Sequence, residues 1–170
     1  KVFVDKLQMV FNEGLYDPAN EPDIAYAYLF SRFKGEEWRT QKLIPQLLRE
    51  YFTTKPDGIP GNDDTGTMSA WAVFSMMGFY PDCPGEPSYT LTAPTFEKVT
   101  ITLDPKWYNG HNELVISKSG SNENGREAKR ESYDRISGMT LGRKTLKGYR
   151  ISHEELTRGG ELAFRCRAAK

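Results

Sequence analysis

Two acids side by side, Asp63 and Asp64, follow Asn62 and lie between Gly61 and Gly66, directly before an apolar run that begins at Met68. Carboxylates on a glycine-bounded loop at a helix start carry a charge that the helix dipole and unpaired N–H groups favour. Such groups can take a proton, orient a water or hold a metal ion. The plain alternative is an Asx turn or helix cap, for which one of the two acids would suffice. Asn20-Glu21-Pro22 is a second candidate. A helix start accounts for it, with Asn20 as cap, Pro22 in the first turn, and Glu21 and Asp23 against the dipole. The same segment offers an amide oxygen, a carboxylate and free carbonyls, the hard oxygen ligands that calcium takes. Tyr16, Tyr26, Tyr28, Trp38, Trp71, Phe79 and Tyr80 supply aromatic faces on which a sugar could stack. Helical spacing places Tyr28, Trp71 and Phe74 in the core instead.

Other chemistries are absent from the pattern. His111 and His153 are the only histidines and do not form a metal-spaced pair; His153-Glu154-Glu155-Leu156 is not a zinc helix. They read as surface or turn residues. No nucleophile elbow, phosphate loop or dinucleotide fingerprint occurs, and Gly61 to Gly66 is not followed by Lys-Ser. Cys83 and Cys166, the only cysteines, form no redox or metal motif; they could make one disulfide in an oxidising compartment, and two packed thiols are the preferred reading.

Helices must position these loops. Val2, Leu7, Val10 and Phe11 repeat at helical spacing up to Gly14. Ile24, Tyr28, Leu29 and Phe33 mark a second helix closed by Gly35, and Trp38, Leu43, Leu47, Leu48 and Phe52 a third, which Pro45 should kink or divide. Met68, Trp71, Ala72, Phe74 and Ser75 mark a fourth, ended by Gly78. After Tyr80-Pro81 the signal turns to strands: 88–93, 98–103 and 114–118, two more around Gly142 and Gly148, and 161–168 with Leu162, Phe164 and Cys166 on one face. The run 119–132 reads as a polar loop or hairpin tip. Helices followed by strands predict an α+β chain of two modules, residues 1–80 and 81–170, the second an antiparallel, sandwich-like β unit.

At 170 residues, with 38% hydrophobic content and a mean hydropathy of -0.63, the chain suits one domain or two small ones. No apolar run is long enough for a membrane span. The segment after Lys1 reads as a helix and not as a signal peptide, in a chain that lacks an initiator Met. The 23 basic and 23 acidic residues cancel. Residues 118–150 are locally basic, with Arg126, Lys129, Arg130, Arg143, Lys144 and Lys147, but aromatics are sparse there and no nucleic-acid signature accompanies them. A solvated surface is the expectation, with no nucleic-acid partner.

Asn20-Glu21-Pro22, Trp38-Arg39-Thr40-Gln41, the block from Gly61 through Asn62-Asp63-Asp64-Thr65-Gly66-Thr67-Met68-Ser69-Ala70 to Trp71, and Gly78-Phe79-Tyr80-Pro81 together resemble glycoside hydrolase family 92. Cys83-Pro84-Gly85, Tyr89, Pro94, Phe96, Lys98-Val99-Thr100-Ile101, His153 and Gly159-Gly160-Glu161-Leu162 extend the resemblance over nearly the whole chain. It implies a calcium-dependent, inverting exo-α-mannosidase. Residues 1–80 would be the last helices of its (α/α)6 barrel and residues 81–170 its C-terminal β region. Inversion needs an acid and a base about 6.5–9.5 Å apart across the sugar ring. The resemblance implies Asp64 as the general base, Asn62 and Asp63 shaping the loop or meeting water and sugar, Gly61 and Tyr16 beside the substrate, and Asn20 and Glu21 as ligands of Ca2+. The family's acid is a Glu upstream of Asn-Glu-Pro, and nothing among the first 19 residues matches it, so the chain is expected to be one part of a larger enzyme and inactive alone. Its partners would be an α-mannoside glycan, as in N-glycan degradation, and the missing N-terminal and barrel parts, in a periplasmic or extracellular setting. The stretch Leu15-Tyr16-Asp17-Pro18-Ala19 lacks the His-Glu pair associated with α-1,2 linkages. The alternative is a non-catalytic carbohydrate-binding or structural module of a larger glycosidase.

Overall fold

Apolar residues at helical spacing open the chain and give α1 (Val2–Asn12), whose Val4 and Leu7 are buried. A computed structural model describes residues 1–121 and 135–167. Arg126, Lys129 and Arg130 of the basic stretch, and most of the predicted polar loop, lie outside the described residues. The described part divides into two units, Lys1–Phe74 and Ser75–Lys170.

In the first unit the predicted second helix is broken. A 3-10 turn, Glu21–Asp23, precedes α2 (Tyr26–Leu29), and a second 3-10 turn, Phe30–Arg32, follows it. Pro22 in the first turn and the tight winding of these pieces explain the fragmentation. The third helix behaves in the opposite way: α3 (Glu37–Tyr51) runs on through Pro45 undivided. Proline removes one N–H and crowds the turn before it, but Ile44, Pro45 and Leu47 are buried together, and that packing holds the helix. Its Thr40, fully buried, donates from Oγ1 to the Ala27 carbonyl at 2.7 Å and ties α3 to α2. Val4, Leu7 and Phe30 form a cluster joined by Phe11, Tyr26, Leu29, Phe33 and Leu43. Trp71 of α4 (Thr67–Met77) forms a second centre, stacked on Phe52 at 5.3 Å and edge-on to Tyr28 at 6.2 Å. Tyr28 and Trp71 are thus core, as expected; Phe74 is only half-buried. Gly78, at φ +93, ends α4.

The second unit holds two sheets. β1 (Phe79–Tyr80), β2 (Ser88–Leu91) and β7 (Arg150–Ser152) form a three-stranded antiparallel sheet in the order β1-β2-β7. β3 (Lys98–Thr102), β4 (Glu113–Ser121), β5 (Arg135–Leu141), β6 (Lys144–Thr145) and β8 (Gly160–Arg167) form the other, in the order β3-β4-β8-β5-β6. The wholly antiparallel unit read from the sequence is corrected here: β4 and β8 pair in parallel, from Leu114 opposite Gly160 to Ser121 opposite Arg167. A parallel pair needs a long crossover, and a strand pattern carries no direction, so the sequence could not reveal it. β4 also runs to Ser121, into what was read as loop. Leu114, Ile116, Leu162, Phe164 and Cys166 line one buried face. Ile136 and Met139 join them although they are three apart, because a bulge between Ile136 and Gly138 shifts the register. β1, β7 and the short helix α5 (His153–Thr157) were not foreseen. The signal for α5 was present: Ser152 and Glu155 form a capping box. Cys83 and Cys166 carry thiols and not a disulfide.

Candidate active site

The candidate residues of the first unit lie on two loops. One joins α1 to the Glu21–Asp23 turn and carries Tyr16, Asn20 and Glu21; the other precedes α4 and carries Gly61 to Asp64. Two contacts bring the loops together. Gly61, at φ +64, lies so near Ala19 that a methyl group on it would be 2.8 Å from both the Cβ and the carbonyl oxygen of Ala19. The Trp71 indole Nε1 donates 3.0 Å to the Ile24 carbonyl, a buried bond 47 positions apart in sequence. The first contact demands glycine, for both its conformation and its size. The second anchors α4 to the residues just after Glu21.

The loop separates the two aspartates. Asp63 is the helix cap: its Oδ1 accepts from the Ser69 N–H at 2.8 Å, and its carbonyl accepts from Gly66 at 3.1 Å and Met68 at 3.2 Å. That satisfies donors that a helix start leaves open and sets a negative charge at the positive end of the dipole. The Asp64 side chain does none of this, although the Asp64 carbonyl accepts from the Thr67 N–H at 3.3 Å. Its carboxylate is exposed and makes no hydrogen bond or ion pair with a described residue, while its carbonyl accepts from Thr67 Oγ1 at 2.8 Å. Asp64 (φ 47) and Thr65 (φ 61) both adopt the left-handed conformation. That is uncommon for Asp and an outlier for β-branched Thr. Strain of about 1–3 kcal/mol per residue persists where surrounding structure imposes it, and it clusters at functional sites. Asn62 is exposed beside them.

On the facing loop, Asp17 and Asp23 organise the backbone: Asp17 Oδ1 accepts from Ala19 N–H at 2.9 Å and Asp23 Oδ2 from Asp17 N–H at 3.2 Å. The helix-start alternative holds in outline, with Asn20 at the cap position of the Glu21–Asp23 turn, Pro22 in its first turn and the Asn20 carbonyl accepting from Asp23 N–H at 2.9 Å, but the Asn20 side chain makes no cap bond; its Nδ2 donates to Asp23 Oδ1 at 3.4 Å. Glu21 is exposed and makes no side-chain hydrogen bond with a described residue. Tyr16 is half-buried with its ring stacked on Phe11 at 4.8 Å. As for calcium, the amide oxygen of Asn20 and the carboxylate of Glu21 are donors of the right kind and are not consumed by internal bonds. They fit a part of the about six to eight oxygens calcium takes. Among the described residues no group of three His, Cys, Asp or Glu is gathered for a metal.

Sequence reasoning gave no role of their own to several other residues, taken here unit by unit. Ala19 matters because it has no more than a methyl group where Gly61 arrives. Arg39 lies between rings, 4.6 Å from Trp38 and 5.7 Å from Phe30, and donates to Gln8 Oε1 at 2.6 Å. In the β unit, His153 is no surface histidine: it is half-buried with Nδ1 2.7 Å from the Tyr89 hydroxyl. Burial first, and then nearby Tyr108, pushes the Tyr89 phenol above its ordinary range. Arg150 donates to buried Asp82 at 3.2 Å, to Glu86 at 2.9 Å and to Ser88, and fixes β2 against β7.

Comparison with known proteins gives the family. The chain belongs to glycoside hydrolase family 92: the model described as "Glycosyl hydrolase family 92 catalytic domain" matches residues 1–168. A family GH92 alpha-mannosidase from Bacteroides thetaiotaomicron shares the fold with a TM-score of 0.82 and 25% identity, over 99% of this chain and 22% of that one. A family GH92 inverting mannosidase from Bacteroides thetaiotaomicron VPI-5482 has a TM-score of 0.73 and 31% identity, over 94% of this chain and 20% of its own. An uncharacterized secreted glycosidase of Arthroderma benhamiae is 32% identical over 99 residues, 58% of this chain and 13% of that protein. The chain therefore spans about a fifth, or less, of the length of these relatives. Among the described residues no helix is long and apolar enough to cross a membrane.

Proposed function

We propose that the chain is part of an inverting exo-α-mannosidase that removes terminal α-linked mannose from glycans, and that its loop pair forms one side of the sugar site. The observation that carries this is the division of labour between the two aspartates. Asp63 meets the structural need, which leaves the Asp64 carboxylate exposed, without a partner among the described residues, on a strained loop whose Gly61 meets Ala19, the neighbour of Asn20. A carboxylate so placed can accept a proton from a water as that water attacks the anomeric carbon. Asn62 would meet the water or the sugar, Gly61 would let the sugar approach the backbone, and Tyr16 would border the pocket. Asn20 and Glu21 would supply oxygens to Ca2+, which when bound polarises and orients sugar hydroxyls. The general acid comes from residues outside these 170, as do the remaining walls; the helices of the first unit would be the closing helices of an (α/α)6 barrel. A family resemblance to a secreted glycosidase favours an extracellular or periplasmic enzyme.

The test is made in the full-length enzyme. Asp64→Asn is expected to lower kcat by about 10²–10⁴-fold, with thermal stability unchanged. Asp63→Ala is expected to lower stability by about 1 kcal/mol through the lost cap. Turnover that survives Asp64→Asn would remove Asp64 from the mechanism and favour a non-catalytic role for the loop. Removal of calcium by a chelator should abolish turnover reversibly and shift the melting temperature less in Glu21→Gln than in the parent.

A further inference from the structure

Along β8 the buried Leu162, Phe164 and Cys166 alternate with exposed Glu161, Arg165 and Arg167. Arg135 of β5 stands directly opposite Arg167, and Gly138 opposite Arg165, so three arginines share one end of the outer face. Like charges facing each other across a ladder are destabilising. No described residue neutralises them: none of the three guanidiniums has an ion pair or hydrogen bond within the described structure. Glu161, a carboxylate of the same face, lies four residues back, about 13 Å along the strand, and accepts instead from Ser117 Oγ at 2.6 Å.

The bulge gives this end its shape. It places Gly138 under the Arg165 side chain, where a methyl group would be 2.9 Å from Nη2. A cavity of about 350 Å³ opens there, lined by Ser119, Gly120, Ser137, Arg165, Cys166 and Arg167. Ser137 Oγ donates to the Arg165 carbonyl at 3.0 Å and Ser119 Oγ to the Phe164 carbonyl at 3.4 Å. The hydroxyls are therefore spent on β8 carbonyls, and the guanidinium N–H groups have no acceptor among the described residues. Planar forks of N–H groups match the oxygens of phosphate and sulfate in pairs.

We propose that this cavity in the β unit binds a tetrahedral oxyanion, held by Arg165 and Arg167 with Arg135 adding charge. The inference does not depend on the mannosidase reading. The anion is either a free ion or the ester group of a charged sugar. The protein is titrated calorimetrically with inorganic phosphate and with mannose 6-phosphate, the ionic strength being held constant with chloride. One saturable site is expected, weakened about tenfold or more in Arg165→Gln/Arg167→Gln and unchanged in Arg143→Gln. Equal affinity for the two ligands assigns the free ion; clearly tighter binding of the sugar ester assigns a phosphorylated glycan. Absence of saturable binding by either ligand overturns the proposal. So does undiminished binding in the double variant when its circular dichroism matches the parent. If the double variant loses that spectrum, Arg167→Gln alone, at an exposed strand end, is held to the same criterion.

Discussion

Asp63 and Asp64 are neighbours of one residue type, yet their backbones send them to different tasks. The first turns its carboxylate to the Ser69 N–H; the second, at φ 47, bonds the helix start through its carbonyl only and leaves its carboxylate exposed. Thr65 follows at φ 61, a conformation that crowds a β-branched side chain. Thr65→Gly should therefore raise stability by about 1 kcal/mol while lowering kcat of the full-length enzyme, since the loop gains freedom that Asp64 must not have. A rise in melting temperature with undiminished turnover would show the strain to be incidental. Gly61 is the reverse case. A side chain there meets Ala19 at 2.8 Å and must also hold a positive φ. Gly61→Ala is expected to cost about 1–3 kcal/mol and to reduce activity by moving the Asp64 loop off the Asn20–Glu21 turn. Equal melting curves for variant and parent would refute the contact.

At the scale of elements, α4 is positioned by one side chain more than by its length. The indole N–H of Trp71 reaches the Ile24 carbonyl while the ring stacks on Phe52. Loop, helix and facing turn thereby become one assembly. The β unit offers a cleaner test of an element boundary, because α5 begins with a charged cap. Glu155 is held below its ordinary carboxylate range, first by the Lys144 ammonium at 2.7 Å and then by the Ser152 backbone and hydroxyl. A depressed folded-state pKa means that the group stabilises the fold above the ordinary carboxylate range. The contribution is lost as pH falls through the depressed value. Melting temperatures of the parent and Glu155→Gln should accordingly differ near neutral pH and converge in acid. A constant gap across that range would show that the capping box works without the charge.

The whole molecule is uneven in its exposure. Val2 (71%), Phe3 (52%), Leu15 (60%) and Trp38 (54%) are large apolar side chains left to solvent in the first unit. Exposed apolar surface can mark a face meant for neighbours, and the relatives extend to several times this length. The 170-residue chain expressed alone should therefore self-associate, which sedimentation velocity would detect. Replacing Val2, Phe3 and Leu15 with Ser together should reduce association without altering circular dichroism. A parent chain that stays monomeric at high concentration would show that these residues need no cover.

Local pattern was enough to read the four helical stretches of the first unit, most strands of the second, and the two loops worth watching, because each depends on spacing within a dozen residues. The motif blocks also carried the family. What the pattern could not supply was anything decided by contact across sequence. Pro45 pointed to a kink or a division, and burial beside Ile44 and Leu47 keeps the helix undivided. The direction of β4 against β8 is set by the crossover, and the inward turn of both Ile136 and Met139 by a bulge that hydrophobic alternation does not announce. Most of all, Asn62-Asp63-Asp64 read alike as cap or as site. Only the tertiary structure turns one carboxylate to the Ser69 N–H and leaves the other exposed, on a loop that the approach of Gly61 to Ala19 and the reach of Trp71 to Ile24 bring to the Asn20 turn.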